Sequence, residues 1–371
     1  MKVLHVITGL GVGGAETQLR SLVAHSRHDA EVVCLYNPGA VADDLRGAGV
    51  RVLDLEMRSN RDVTALRRLV RIMRAGRYDV VHTHLYRACV YGRFAARLSS
   101  VGGIVATEHS LQDGQLEGRV ATRSVRALYR TSEALGDVTI AVSGAVRRDL
   151  LGWGVPARRI VQIPNGVELA GLAFDAAERA QTRKALGLAA DDQVIGTVGR
   201  LHPGKQIDLL ISSAAPLLRQ GRYLLVVGDG PARGDLEEQA RALGVDDRVI
   251  FAGEQPARPF LAAMDVFASP SPFETFGLAV VEALANGLPV AYRRCPALEE
   301  LAAPVPDAVR VSGDEAELGD VLVDLLGRTT SGPRTAPSEL AGLGMPAIAQ
   351  GVDEVYERVA NGARENARVR T

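Results

Sequence analysis

The chain is poor in aromatic residues, which fill 4% of its 371 positions, and it has one tryptophan, three cysteines and no long apolar run. Each shortage removes a class of function. The cysteines (Cys34, Cys89, Cys295) lie far apart and are odd in number, so neither a disulfide framework nor a thiolate metal site is expected. Reduced thiols in a cytoplasmic protein are the simplest reading. No apolar stretch reaches the eighteen or so residues of a membrane span. The first residues, one lysine and a short apolar run broken by His5 and by glycines, read as a first strand and not as a secretion signal. Formal charge is −1 at pH 7, which provides no global field for nucleic acid. No cysteine or histidine spacing of the metal-binding type stands out. Lysine is scarce as well: Lys2, Lys184 and Lys205 stand among 43 basic residues, so a lysine inside a motif carries weight.

What the sequence has in quantity is alternation. Strand-like runs (VLHVI, EVVCLY, RVLDL, DVVHTH, GIVAT, VTIAVS) are separated by amphipathic segments such as AETQLRSLVAHS and TALRRLVRIMRAG. A second series (VIGTVGR, YLLVVG, RVIFAG, VFASPS, LPVAYR) follows after residue 190. Such alternation predicts a parallel sheet with crossover helices. Its occurrence twice predicts two doubly wound α/β domains facing each other across a cleft. The expected spans are 1–168 and 169–346, with a C-terminal helix over about 347–371 as a candidate to pack back on the first. The helical pattern of that tail runs to about Asn361. Residues 328–346, rich in Gly, Pro, Ser and Thr, read as a loop.

The opening MKVLHVITGLGVGGAE carries Gly9, Gly11 and Gly14 in the G-x-G-x-x-G spacing by which a dinucleotide fold brings its backbone to a pyrophosphate. The partner of that motif is missing. The second strand closes on Cys34-Leu35-Tyr36-Asn37, with no carboxylate for a ribose, so a nicotinamide cofactor is not expected. What remains is a glycine loop at a helix N-terminus, whose amides suit an anionic group.

Ligands of open parallel sheets sit at the carboxyl ends of the strands, and three strand-end motifs in the second half add chemistry there. After VIGTV, Arg200 and Lys205 lie five residues apart on a loop flanked by Gly199 and Gly204. A guanidinium fork with an ammonium suits a diphosphate that gains charge as its bond to a sugar breaks; two solvated cations are the bland alternative. LVVGDGP (225–231) brings Gly228 and Gly230 into a tight turn. SPSPFETFGLAVVEALANGLPV (269–290) places Glu274 in a loop before a helix expected to begin near Phe276, with Glu282 inside it. Amides of Phe276, Gly277 and Leu278 would be that helix's unpaired donors. The two carboxylates would accept sugar hydroxyls, or be a helix-approach residue and a solvated helix carboxylate.

ETFGLAVVEALANGLPV resembles the E-x7-E signature of retaining, nucleotide-sugar-dependent glycosyltransferases of family 4, whose GT-B fold is two facing Rossmann-like domains. GGAE (13–16), DVVHTH (79–84), TEH (107–109), AVS (141–143), PNGV (164–167), VGRL with Lys205 (198–205) and VVGDGP (226–231) extend the likeness in order over most of the chain. The resemblance implies transfer from a nucleoside-diphosphate sugar, with uridine the family-weighted base. It implies Glu274 on a hydroxyl of the transferred sugar, Glu282 on the ribose, and Arg200 and Lys205 on the diphosphate. Gly199, Gly228, Gly230, Phe276, Gly277 and Leu278 would surround the donor, and Gly13 with Gly14 would approach the diphosphate from the other domain. His109 matches the family's histidine near the anomeric centre. His84 is placed with Glu16 and Glu108 on the acceptor side, because strand alternation is expected to turn His82 and His84 opposite ways. The family's GT-B members use cationic side chains and helix dipoles in place of a metal, so neither a metal nor a cofactor is expected. Retention is usually explained there by front-face attack, the leaving phosphate accepting the acceptor's proton.

Two departures from the family pattern bear on specificity. Gln206 stands where glycine is common, and Tyr292-Arg-Arg-Cys-Pro-Ala-Leu-Glu-Glu-Leu replaces the small residues and glycine-bounded acidic site that usually follow Pro289-Val290. The donor sugar is therefore not assigned. For the acceptor, Arg58 to Arg77 holds seven arginines with Val63, Leu66, Val70 and Met73 at helical spacing, and Arg119, Arg123, Arg126 and Arg130 follow the TEH motif. Neither stretch contains tryptophan, which favours solvated crossover helices over a membrane surface. The expectation is a small polar acceptor, such as an aminocyclitol or a sugar of a secondary metabolite or antibiotic, with Glu16, Glu108 and Asp113 available to an amine. A lipid-linked or polysaccharide acceptor at a membrane, and a sugar-nucleotide 2-epimerase of the same fold, are the alternatives.

Overall fold

The strand-like runs pair in parallel and form two separate sheets. The structure, a computed structural model, describes residues 1–59, 62–112, 114–117, 119–329 and 332–369, the side chains of 119, 364 and 366–369 excepted. One unit is formed by Met1–Gly166 with Met345–Thr371, the other by Val167–Gly344.

In the first unit the strands are β1 (Lys2–Ile7), β2 (Asp29–Cys34), β3 (Arg51–Asp54), β4 (Val80–His84), β5 (Gly103–Glu108), the short β6 (Leu111–Gln112), β7 (Gln115–Leu116) and β8 (Arg119–Val120), then β9 (Val138–Ala141) and β10 (Ile160–Gln162). The main sheet runs β10-β9-β5-β4-β1-β2-β3, while β6, β7 and β8 make a small antiparallel sheet. Helices α1 (Gly14–His25), α2 (Ala40–Gly47), α3 (Val63–Gly76), α4 (Tyr86–Ser99), α5 (Arg123–Glu133) and α6 (Gly144–Gly152) lie between strands. α3 shows why such a segment is helical. Asp62 caps it by accepting the Ala65 N–H, and Ala65, Leu69 and Met73 return on one buried face. Central strands are covered on both sides, so all five residues of β4 are buried.

The second unit contains α7 (Ala176–Ala185), β11 (Gln193–Val198), α8 (Ile207–Ala214), β12 (Arg222–Val227), α9 (Arg233–Ala242), β13 (Val249–Gly253), α10 (Ala257–Ala263), β14 (Val266–Ser269), α11 (Leu278–Ala285), β15 (Val290–Tyr292), α12 (Pro296–Glu299), β16 (Ala308–Arg310) and α13 (Glu315–Arg328). Its sheet order is β13-β12-β11-β14-β15-β16. A buried ion cluster ties α7 to this sheet: Asp265 accepts from Arg179 (2.6 Å), Arg183 (2.7 Å) and the Val194 N–H (2.8 Å). The 328–346 stretch is not loop throughout, since a 3-10 turn over Ser338–Leu343 buries Leu340 and Leu343.

The chain then returns to the first unit as α14 (Met345–Val369), which continues well past Asn361. Val352, Val355, Tyr356 and Val359 pack with Val3, Val80 and Val105 of the sheet. Asp353 fixes the helix by accepting from the Ser26 hydroxyl (2.6 Å) and the Arg27 N–H (3.0 Å). Among the described residues no helix is long and apolar enough to cross a membrane.

Each sheet reverses its strand order once, between β1 and β4 in the first unit and between β11 and β14 in the second. Connections leave such a switch point in opposite directions and open a crevice at the carboxyl ends of the strands.

Candidate active site

Beside the second unit's switch point the loops after β11 and β12 touch backbone to backbone. The Gly199 N–H donates to Val227 O (2.9 Å) and the Leu201 N–H to Asp229 O (2.9 Å). A Cβ on Gly228 (φ +133°) would lie 2.0 Å from Gly199 O, and one on Gly230 (φ +159°) 2.3 Å from Leu201 O, so only glycine fits at either place. Arg200 extends from this junction and is exposed. Lys205 ends a 3-10 turn (Pro203–Lys205) that His202 opens by accepting the Gly204 N–H on Nδ1 (3.1 Å).

Lys205 Nζ meets Glu274 Oε1 at 2.5 Å, which joins the loops that follow β11 and β14. With the lysine side chain 38% exposed, the pair adds little to stability; its effect is to hold an ammonium and a carboxylate together at the strand ends. α11 begins at Leu278, two residues later than the sequence pattern places it. Gly277 is left-handed (φ +94°), and Phe276 is buried with its carbonyl accepting the Ala297 N–H (2.9 Å), so both belong to an anchored turn and not to the helix. The N–H groups of Val280 and Val281 already donate to Gly277 O (3.1 and 3.2 Å), which leaves the first amides of the helix, at Leu278 and Ala279, as its outward donors. Glu282 lies half-buried on α11, and burial pushes its carboxyl group up.

Gln206 and the 292–300 stretch, the two expected departures, meet in the structure. Gln206 adopts a left-handed conformation (φ +51°) next to Lys205, and its Oε1 accepts from Arg293 Nη1 at 2.6 Å. Arg293 itself follows β15, with its N–H on Ser269 O (2.9 Å). Gln206 is thus paired with a cation from the 292–300 stretch.

In the first unit four histidines gather around the switch point. His5 is in register with His82, and His84 with Ile7 and Thr107. His82 and His84 face the same way, not opposite ways: residues two apart on a strand share a face, and their rings lie 4.0 Å apart. His5 Nδ1 bonds His84 Nε2 (3.1 Å), and His84 Nδ1 bonds His109 Nε2 (3.3 Å). His82 is held separately, by the Tyr356 hydroxyl of α14 (2.6 Å) and the Thr107 hydroxyl (2.7 Å). Burial favours the neutral rings, lowering His5 to about 3 and His109 to about 4, with His82 and His84 also well below the usual value. His84 and His109 line a cavity of about 30 Å³ shared with Gln18 and Asn165, large enough for one or two water molecules.

Nitrogens of His5, His82 and His84 lie within 4.8 Å of one another, which is a metal-ligand count on paper. The donor set does not fit an ion. Both nitrogens of His84 and both of His82 are already hydrogen-bonded, and no carboxylate among the described residues joins the group to offset a buried dication.

The remaining acceptor-side residues are turned to local tasks. Glu108 is buried, with Oε1 accepting the Ser110 N–H (3.0 Å) and Oε2 the Tyr129 hydroxyl (3.1 Å), and burial raises its carboxyl group. Glu16 folds back over the start of α1, where a Cβ on Gly13 would meet its Oε2 at 2.4 Å. Gly13 is the extended N-cap and Gly14 the first helical residue. Asp113 lies outside the described residues.

The two Rossmann-like units are the architecture of the GT-B fold. Comparison with known proteins gives the family. The profile for Glycosyltransferase Family 4 matches residues 12–170, and that for Glycosyl transferases group 1 matches residues 192–328. D-inositol 3-phosphate glycosyltransferase of Kineococcus radiotolerans is 33% identical over 317 residues, 76% of this chain and 72% of that one. UDP-Gal:alpha-D-GlcNAc-diphosphoundecaprenol alpha-1,3-galactosyltransferase of Escherichia coli is 28% identical over 294 residues, 75% of each chain. The crystal structure of Anabaena HepE in complex with UDP has the same fold over 100% of both chains, with a TM-score of 0.76 at 21% identity. The chain belongs to glycosyltransferase family 4 and is a glycosyltransferase.

Proposed function

We propose that this glycosyltransferase moves a sugar from a UDP-sugar to a hydroxyl of a small polar acceptor in the cytoplasm, with retention at the anomeric carbon. The observation that carries the proposal is the Lys205–Glu274 pair at the second switch point, beside Arg200 and the leading amides of α11. As the bond from the anomeric carbon to phosphate oxygen breaks, the diphosphate takes up the electron pair. Lys205, Arg200 and the helix N-terminus stabilise that charge. The acceptor hydroxyl then bonds to the anomeric carbon on the face the phosphate leaves, and its proton passes to a phosphate oxygen. Glu274, tethered to Lys205, orients a sugar hydroxyl and does not attack. Glu282 accepts from the ribose, and His109 and the amides at Gly13 and Gly14 keep the roles that the family resemblance gives them.

A cyclitol or similar polyol is the favoured acceptor. The Kineococcus relative is named for an inositol phosphate, whereas the E. coli relative is named for a lipid-linked sugar. The lipid-linked reading draws on exposed Val120 and Leu128 beside the arginines of α5. Part of that basic set is engaged in packing, since Arg126 lies over the Trp153 ring (5.3 Å) and the Arg130 guanidinium rests against Gly154.

Thermal shift with UDP, GDP and ADP tests the donor half. UDP at a hundred times its Kd stabilises by about 2.7 kcal/mol, and Lys205→Ala removes the effect while leaving the unliganded melting temperature nearly unchanged. No shift with any of the three at millimolar concentration would overturn the reading. Mass spectrometry of mixtures of UDP-sugars with inositol phosphates or with polyprenyl-diphosphate sugars then identifies the acceptor class.

A further inference from the structure

The three-histidine line in the first unit does more than fill a sheet face. A neutral imidazole has one N–H and one lone pair, so His84, bonded through both nitrogens to other imidazoles, must donate to one and accept from the other. Only two arrangements satisfy the line. In one, His5 Nδ1–H donates to His84 Nε2, His84 Nδ1–H donates to His109 Nε2, and the proton of His109 is on Nδ1. In the other, His109 Nε2–H donates to His84 Nδ1, His84 Nε2–H donates to His5 Nδ1, and Nδ1 of His109 is an acceptor.

We propose that His5 and His84 are positioning residues that dictate which nitrogen of His109 carries its proton, so that a group on β1, two strands away in the sheet, sets the tautomer of His109. The inference rests on the reading of His109 as the histidine beside the transferred sugar. The two arrangements hold the same protons, one on each neutral ring, and differ only in which nitrogen of each ring carries it. Orientation is enforced from outside: β1, β4 and β5 hold the rings in register, and His82, clamped between Tyr356 and Thr107, packs against His5 and His84 without entering the line.

Nitrogen-15 NMR of the histidine-labelled full chain, free of donor and acceptor, tests this directly. His84 should show coupling across hydrogen bonds to both His5 and His109, and all three rings should report the same tautomer. His5→Phe keeps a ring in place but removes the deep partner, and should change the tautomer populations of His109 although it does not touch that residue. His84→Phe should uncouple His109 altogether. Absence of both couplings in the unsubstituted protein would overturn the proposal even if neither variant folds. An unchanged His109 tautomer in a folded His5→Phe variant would overturn it as well. Because the readout uses no substrate, its failure is separate from failure of the assignment of His109 to the sugar.

Discussion

Acidification should unfold the first unit before the second, through the buried histidines. In the unfolded chain a histidine titrates near 6.5. In the folded unit His5 is held to about 3 and His109 to about 4 by burial. Between those values the unfolded chain carries the extra proton, so stability is full above about pH 6.5 and is lost as pH falls toward the folded value. Each such group gives a slope of about 1.4 kcal/mol per pH unit, so going from pH 7 to 4.5 removes about 2.5 kcal/mol for each of His5 and His109. His82 and His84 are shifted in the same direction and add to the loss. Two groups alone remove about 5 kcal/mol, comparable with the whole stability of a domain at the lower end of the usual range. Glu108 acts with the opposite sign: its raised carboxyl group takes a proton first in the folded state and gains stability as pH falls.

The assay uses the chain's single tryptophan. Trp153 is buried in the first unit, edge-on to Tyr129 with ring centres 5.3 Å apart, so its fluorescence reports that unit. Urea unfolding followed at Trp153 should give free energies that fall steeply from pH 6.5 to 4.5. His5→Phe should reduce the slope by about 1.4 kcal/mol per pH unit, whatever it does to stability at pH 7. The second unit has a single histidine, His202, at its surface, and provides the internal comparison. A pH-independent Trp153 transition over this range, or a slope untouched by His5→Phe, would refute the reasoning.

Two further perturbations probe the second unit. Asp265→Ala leaves Arg179 and Arg183 buried without their counter-ion and should destabilise that unit by about 3–5 kcal/mol, read by calorimetry as a lowered melting transition with the Trp153 signal unmoved. Gly277→Ala forces a left-handed alanine whose Cβ would lie 2.5 Å from Cys295 Sγ; a loss of about 1–3 kcal/mol is expected. UDP binding, measured by calorimetric titration, should weaken with it, because the first turn of α11 has to move.

The sequence pattern revealed the central strands because parallel strands covered on both faces read as apolar runs, as in β4 and β12. It missed β10 and β16, edge strands of three residues, each with at most one fully buried side chain. The start of α11 was misplaced because apolar Phe276 is buried as an anchor, which periodicity cannot tell from a first helical turn. Arg200, Lys205 and Glu274 were legible one at a time from their places after strands. Their pairing was not, since Lys205 and Glu274 are 69 residues apart and meet only because β11 and β14 are neighbours. The histidine cluster was misread: the spacing of His82 and His84 implies a shared face, against the expectation that they turn opposite ways, and His5 joins them through a contact 79 residues long.

The pair of Gln206 and Arg293 shows how such long contacts tie loops together. A residue other than glycine in a left-handed conformation costs about 1 kcal/mol, and position 206 bears that cost directly beside Lys205. The compensation is the short bond to Arg293, which also fixes a guanidinium at the end of β15. Gln206 restrains the arginine, and the arginine justifies a side chain at 206. Together they tie the loop after β11 to the end of β15. Exchanging one member without the other should therefore leave a strained loop or an unrestrained cation.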